Sequence, residues 1–321
     1  MKRLTWALVC ALLSIPARAQ DYPAKPITIV VPAAAGGPTD TLARTLSAAM
    51  TPVLKQTFLI DNSGGAGGII GINKAAKARP DGYTLLLYHL GMSTAPALYR
   101  KLPYDTLNDF DYVGLVADVP MLFIAKKTTA ARNFSEFLDY LKANQDKASY
   151  AHAGVGSAAF LCGLLFMSAT RTSFTQVGYK GTGPAMNDLV GGQVDFMCDQ
   201  ATNSLPQVRS GNVKAYGVTA AARLASMPDL PTLDEQGLKG FNLVVWNGLF
   251  APHGTPKPAL DKLVAALQAA VQDPTFRARM ADLSSEAASP ARATPEALRD
   301  VLKSEVEKWT PIIRKAGVFA D

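Results

Sequence analysis

The residue types that catalysis uses most often are sparse and scattered in this sequence. The three histidines, His89, His152 and His253, stand apart from one another, and no H-E-x-x-H or C-x-x-C metal motif is present. No P-loop, G-x-S-x-G or S-x-x-K pattern occurs either. An exported hydrolase that uses Ser157 or His89 remains an alternative, because a fold can assemble a triad from distant residues. The sequence otherwise predicts a binding protein, not an enzyme, with no metal and no cofactor.

Turns rich in glycine, serine and threonine are a stronger signal than any catalytic motif. At residues 35–37 and again at residues 154–157, a predicted strand runs through such a turn into a predicted helix. The first N–H groups of a helix have no intrahelical partner, and the helix dipole favours negative charge there. Glycine also lets the backbone approach a ligand closely. These turns are therefore candidate anion sites. Taken alone, the first turn is more often a plain strand–helix connection, and the rest of the chain reverses that preference.

The residues that we predict to bind a ligand lie in or beside these turns. They are Ala35, Gly36, Gly37, Thr39, His89, Ser93, Gly156, Ser157, Gly181, Thr182, Asp199 and Thr202.

Strands and helices alternate along most of the chain, and this order positions the turns. The β-branched run from Ile27 to Val31 predicts a buried strand, and the helix after it is expected to use Thr39 or Asp40 as its cap. Residues 113–126 suggest two strand-like pieces separated at Pro120. In open α/β sheets, ligands bind beyond the carboxyl ends of the strands, where several of these turns lie.

The same alternation predicts an α/β protein with two lobes and mostly parallel sheets. We expect residues 20–121 and 244–321 to form lobe 1, and residues 122–243 to form lobe 2. The chain would then cross between the lobes twice, which makes a two-strand hinge beside a cleft.

The first 19 residues have the pattern of a secretory signal peptide. Lys2 and Arg3 precede an apolar run over residues 4–15 that is too short to span a bilayer, and residues 17–19 form an A-x-A cleavage site. A buried first helix would explain none of these features. We therefore expect an exported, periplasmic protein.

Neither a lipid anchor nor nucleic-acid binding is expected. Cys10 follows Val9 and not a small residue, so a lipid-modified cysteine is not predicted. Without Lys2, Arg3 and Arg18, the formal net charge falls from +6 to +3. A surplus this small, spread along the chain, gives no basic patch for nucleic acid.

Two cysteines, Cys162 and Cys198, remain after the signal peptide. An even pair in an oxidising compartment suggests a disulfide, whereas two buried thiols are the alternative. We predict that the two residues lie within disulfide reach.

Several motifs resemble those of the Bug family, the periplasmic receptors of tripartite tricarboxylate transporters. The matching segments run through the chain in order, at residues 22–27, 31–40, 64–68, 80–86, 179–185, 228–232 and 251–256. The segments around Cys162 and Cys198 look most like the aspartate-binding subgroup. Departures are Ala34, where many members have Phe, Gly178, where Pro is usual, and Ala201, where Thr is frequent.

The resemblance implies a type II periplasmic binding fold that closes over a small carboxylate, such as aspartate or a dicarboxylate. Members of the family hold the ligand mainly with backbone N–H groups, hydroxyls and water. A carboxylate bridging Gly36 and Gly37 of one lobe and Gly156 and Ser157 of the other would favour closure. The implied partners are the membrane permease subunits of a tripartite tricarboxylate transporter, with the receptor itself a monomer. A sensor that presents its closed state to a signalling partner is a further alternative.

Overall fold

The computed structural model describes residues 22–320, so the predicted signal peptide, residues 1–19, lies outside the described residues. Within the described part, no helix combines the length and apolar character needed to cross a membrane.

The strands of the described chain belong to one sheet. They are β1 (Ile27–Val31), β2 (Phe58–Asn62), β3 (Thr84–His89), β4 (Phe110–Lys126), β5 (Ser149–His152), β6 (Thr175–Gly178), β7 (Phe196–Gln200), β8 (Val213–Val218), β9 (Val244–Pro252) and β10 (Glu286–Ala287).

Helices pack against this sheet. They are α1 (Pro38–Leu54), α2 (Ile69–Ala76), α3 (Gly91–Leu98), α4 (Phe134–Ala143), α5 (Ala158–Thr170), α6 (Thr182–Val190), α7 (Ala201–Arg209), α8 (Lys257–Gln272), α9 (Pro274–Asp282) and α10 (Pro295–Ala316).

The expected two-lobed α/β fold is confirmed, with one correction to the sheet. The strand order is β2-β1-β3-β9-β4-β7-β5-β6, with β8 and β10 also paired to β4. Pairing is parallel between β1 and its neighbours and between β5 and its neighbours. The long strands β4 and β9 run antiparallel to each other and to their other partners. The sheet is therefore mixed and not mostly parallel, because β4 and β9 carry the chain between the lobes in opposite directions.

The predicted break at Pro120 is wrong, because β4 is one continuous strand. Its first part pairs with β9 as far as Pro120, and from Met121 onward it pairs with β7 and β8. Proline has no N–H to donate to a ladder, and it sits where the strand changes partners. The proline therefore marks the crossing between the lobes without ending the strand.

Thr219 joins the two crossing segments of the chain. Its hydroxyl accepts from the Met121 N–H at 3.1 Å and donates to the Leu243 carbonyl at 2.6 Å. The Thr219 N–H donates to the Met121 carbonyl, and the Leu243 N–H donates to the Thr219 carbonyl, each at 3.0 Å. Because Thr219 is fully buried, these bonds fix both strands at the hinge.

The cap predicted for α1 is also wrong. Gly37 is the N-cap and Pro38 is the first helical residue, so Thr39 and Asp40 lie inside the first turn. Asp40 instead accepts from the Gly36 N–H at 2.9 Å, one turn back along the chain. Proline suits this first helical position because its missing N–H would have no partner there.

Helix α4 begins after the N-cap Asn133, whose side chain accepts from the Glu136 N–H at 2.9 Å. Helix α3 was not predicted. It contains Pro96 and is almost entirely buried, so it has no polar face to give an amphipathic pattern.

Cys162 on α5 and Cys198 on β7 form a disulfide, with a Cα–Cα separation of 6.2 Å. The prediction that they lie within disulfide reach is confirmed.

Candidate functional site

Four helices begin at the cleft between the lobes. Helix α1 starts in the part of the chain predicted as lobe 1, and α5, α6 and α7 start in the part predicted as lobe 2. The first turns of α1, α5 and α6, together with the N-cap Gln200 of α7, border a cavity with about 30 Å³ available to the centres of water molecules. Because each helix presents N–H groups and the positive end of its dipole, the cavity is suited to an anion.

Seven of the twelve predicted site residues line this cavity. They are Gly37, Thr39, His89, Ser157, Gly181, Thr182 and Asp199.

The lobe 1 wall of the cavity is the turn that enters α1. Asp40 ties this turn together, because its carboxylate accepts both from the Gly36 N–H and from Arg44 Nε at 3.0 Å. Burial raises the pKa of Asp40, but these hydrogen bonds outweigh burial and leave the pKa below its ordinary value. A charged Asp40 thus holds Gly37 and Thr39 in place at the cavity.

On the lobe 2 wall, Ser157 is both a helix cap and a cavity residue. It is the N-cap of α5, and its hydroxyl oxygen accepts from the Phe160 N–H at 3.1 Å. The side chain is buried and also borders the cavity. A hydroxyl that accepts one hydrogen bond still has its proton to donate, so capping does not prevent Ser157 from binding an anion.

His89 lies at the cavity, as predicted. Its Nδ1 accepts from the Gly91 N–H at 3.1 Å, and its ring stacks on Tyr88 with centroids 4.1 Å apart. Burial lowers the pKa of His89 to about 3. The ring is therefore neutral at physiological pH, and because Nδ1 accepts, its proton is on Nε2, where it can donate.

Asp199 is the buried carboxyl group of the cavity. It is fully buried at the end of β7 and accepts from the Gln200 N–H at 2.8 Å and from the Asn203 amide. Burial raises the pKa of Asp199 to about 7, although these two hydrogen bonds and a third from the Thr182 side chain oppose the shift. Near neutral pH, Asp199 can therefore be protonated or ionised.

Glycines allow the two lobes to approach each other closely around the cavity. A Cβ atom on Gly67 would lie 2.0 Å from the Val155 carbonyl oxygen of lobe 2. A Cβ atom on Gly181 would lie 2.9 Å from the Ala34 nitrogen of lobe 1. The backbones of the two lobes are thus in contact at Gly67 and Gly181, and side chains at these positions would hold the lobes apart. This contact is what we mean by the closed conformation.

The other five predicted residues do not line the cavity. Ala35 and Gly36 are exposed at its rim. Ser93 is buried in α3 and donates to the Leu90 carbonyl at 2.6 Å. Gly156 lies beside the lining residue Ser157, and Thr202 is buried in the first turn of α7.

The sequence prediction missed several lining residues. They include Gly65, Gly67, Gly68, Tyr88, Lys180 and Gln200. The glycine-rich turn at residues 64–68 was visible in the sequence, and its similarity to residues 35–37 could have identified it as part of the site.

Comparisons with known proteins point to one family. A family model described as "Tripartite tricarboxylate transporter family receptor" matches residues 42–318. A relative from Agrobacterium vitis, "UPF0065 protein in the TAR-I ttuE-ttuC' intergenic region", is 45% identical over 97% of this chain and 90% of its own.

Two solved structures are similar over nearly their full length. The periplasmic binding protein BugD is 50% identical with a TM-score of 0.91, and the match covers 93% of this chain and 99% of BugD. MatC from Rhodopseudomonas palustris, with bound malate, is 41% identical with a TM-score of 0.87, over 91% of this chain and 100% of MatC.

This family consists of solute-binding receptors and not of enzymes, so the hydrolase alternative is wrong. The chain belongs to the tripartite tricarboxylate transporter receptor family, to which the Bug proteins also belong, and it is a solute-binding receptor of the periplasmic type.

Proposed function

We propose that this receptor binds a small carboxylate between its lobes and delivers it to the permease subunits of a tripartite tricarboxylate transporter. The observation that carries the proposal is the convergence of the α1 and α5 N-termini on one cavity from opposite lobes. A carboxylate has two oxygens, so it can accept hydrogen bonds from both lobes at once. Such bridging favours the closed state by the difference in affinity between the two states.

Neutral groups dominate the proposed carboxylate site. Ser157, Thr39 and the neutral His89 supply side-chain donors in addition to the backbone, whereas the Thr182 hydroxyl bonds to Asp199. Lys180 is the cationic side chain among the lining residues, and it is largely exposed. Affinity would therefore come from aligned neutral donors, as at other helix N-termini.

A related structure suggests the class of acid. MatC, which is 41% identical to this chain, holds malate. Aspartate has the same four-carbon skeleton and the same two carboxylate groups as malate. Aspartate or a four-carbon dicarboxylate is therefore the first candidate.

The remaining features of the proposal extend the sequence-based predictions. We propose that residues 1–19 direct export, that residues 20–121 and 244–321 form lobe 1, and that residues 122–243 form lobe 2. The receptor would act as a monomer, since one chain supplies both walls of the cavity.

A thermal-shift screen tests the proposed function. The panel would contain L-aspartate, L-malate, succinate, adipate and benzoate, with succinamide as the uncharged control. A ligand at 100 times its dissociation constant stabilises the folded state by about 2.7 kcal/mol. We expect the four-carbon acids to raise the melting temperature most and succinamide to leave it unchanged. Equal shifts with succinamide, or no shift with any acid, would contradict the proposal.

A further inference from the structure

The loop at residues 65–68, here called the closure loop, has an unusual backbone. Its four φ angles are all positive, at 121° for Gly65, 47° for Ala66, 60° for Gly67 and 102° for Gly68. Alanine rarely adopts a positive φ, so the surrounding structure must hold the closure loop in this shape.

Two tyrosine hydroxyl groups hold the backbone of the closure loop. Tyr99 donates to the Ala66 carbonyl at 2.8 Å, and Tyr88 donates to the Gly67 carbonyl at 2.7 Å. Tyr88 lies in β3, and Tyr99 is the C-cap of α3. Both hydroxyl groups therefore come from elements of lobe 1, and neither depends on a ligand.

The tyrosines also occupy the space that the glycines leave open. A Cβ atom on Gly68 would lie 2.3 Å from the Tyr88 hydroxyl oxygen, and one on Gly67 would lie 2.9 Å from that of Tyr99. Because a trans peptide directs its C=O and N–H groups in opposite directions, fixing the Ala66 carbonyl also fixes the direction of the Gly67 N–H.

The closure loop reaches both the cavity and the opposite lobe. Gly65, Gly67 and Gly68 line the cavity, and Gly67 sits against Gly154 and Val155 of lobe 2. The shape of this loop thus affects both how a ligand is contacted and how closely the lobes approach.

We propose that Tyr88 and Tyr99 are positioning residues that preorganise the closure loop for ligand binding and lobe closure. This inference rests on the proposed function for the ligand. The two hydroxyl groups lower the cost of ordering the loop when the lobes close, which is how preorganisation increases affinity.

The test uses Tyr88→Phe, Tyr99→Phe and the double variant, with Tyr112→Phe as the matched control. Tyr112 donates its hydroxyl to the Leu107 carbonyl at 2.9 Å, and neither residue lines the cavity. Each substitution keeps the ring and removes one hydroxyl, so the packing of the core is retained. The probes are L-malate and L-aspartate, measured by calorimetric titration.

We expect each single variant to lose two- to tenfold in affinity, and the double variant to lose more. In the ligand-free protein, amide hydrogen exchange across residues 65–68 should become faster in both single variants. In the control variant, the exchange rate should stay as in the wild type. An equal loss of affinity in Tyr112→Phe would indicate a general structural effect and would overturn the inference.

Unchanged exchange across residues 65–68, or faster exchange with unchanged affinity, would also overturn it. If the wild-type protein bound neither acid, the proposed ligand class would fail. The exchange rates of the ligand-free variants would then decide the inference alone.

Discussion

Replacing Gly67 with alanine should stop the receptor from reaching its closed state. The new Cβ atom would lie 2.0 Å from the Val155 carbonyl oxygen, about 1.4 Å short of the 3.4 Å at which ordinary contact begins. The obstacle is backbone on the opposite lobe, so no side-chain rotation can relieve it. The lobes must move apart instead, and lobe 2 then loses its contacts with the ligand.

The loss of affinity can be estimated from the lobe 2 donors. If the Ser157 hydroxyl and the Thr182 N–H each donate one hydrogen bond to a carboxylate, each bond contributes about 1.5–3 kcal/mol. Losing both would cost at least about 3 kcal/mol, which corresponds to about a hundredfold in affinity. Calorimetric titration with L-malate and L-aspartate measures this loss, and small-angle scattering with and without the acid measures closure.

Gly192→Ala is the matched control for backbone strain. Gly192 has a φ of 75°, close to the 60° of Gly67, but a Cβ atom there would meet nothing within 4 Å. The control should lose about 1–2 kcal/mol of folding stability from the left-handed conformation and keep its affinity. Affinity within threefold of wild type in Gly67→Ala, with normal closure, would refute the steric argument.

Three further predictions concern lobe 2. Ser157→Ala should weaken carboxylate binding ten- to a hundredfold and, because the helix cap is lost, lower the unfolding free energy by about 1 kcal/mol. The control Asn133→Ala removes a cap outside the cavity lining and should lower stability without changing affinity. Equal losses of affinity in the two variants would contradict the role of Ser157 in binding. The neutral form of Asp199, whose pKa is raised to about 7, contributes stability at low pH that is lost between about pH 4 and pH 7. Affinity for an anion should likewise fall as pH rises through 7, whereas Asp199→Asn should flatten both profiles in pH-dependent melts and titrations. Replacing Cys162 and Cys198 by alanine should destabilise the protein by about 2–5 kcal/mol, and an unchanged denaturant midpoint would show that the disulfide has no such role.

Local sequence patterns predicted the outer parts of the fold better than its centre. The strand from Ile27 to Val31 could be recognised because its pattern depends on residues close together in the chain. The continuity of β4 through Pro120 could not be recognised, because it depends on pairing with strands far along the chain. The partner strand changes from β9 to β7 and β8 at this proline. The cap of α1 was misassigned because Asp40 serves the preceding turn through the Gly36 N–H instead.

The candidate site was predictable where a turn precedes a helix. Gly37 and Ser157 have this local pattern, and the structure brings both to one cavity. Ser93 has a suitable residue type but belongs to a buried helix that periodicity did not reveal. The part played by Gly67 depends on its contact with Val155 of the other lobe, which no local pattern contains.

A crystal structure with the tightest-binding acid of the screen tests the central claim most directly. We predict that one carboxylate group lies in the cavity, with its oxygens bonded directly or through one water to Gly37 on lobe 1 and to Ser157 on lobe 2. The lobes should be as close as in the present structure, with Gly67 against Val155. A ligand bound outside this cavity, or held by one lobe alone with the cleft open, would contradict the account.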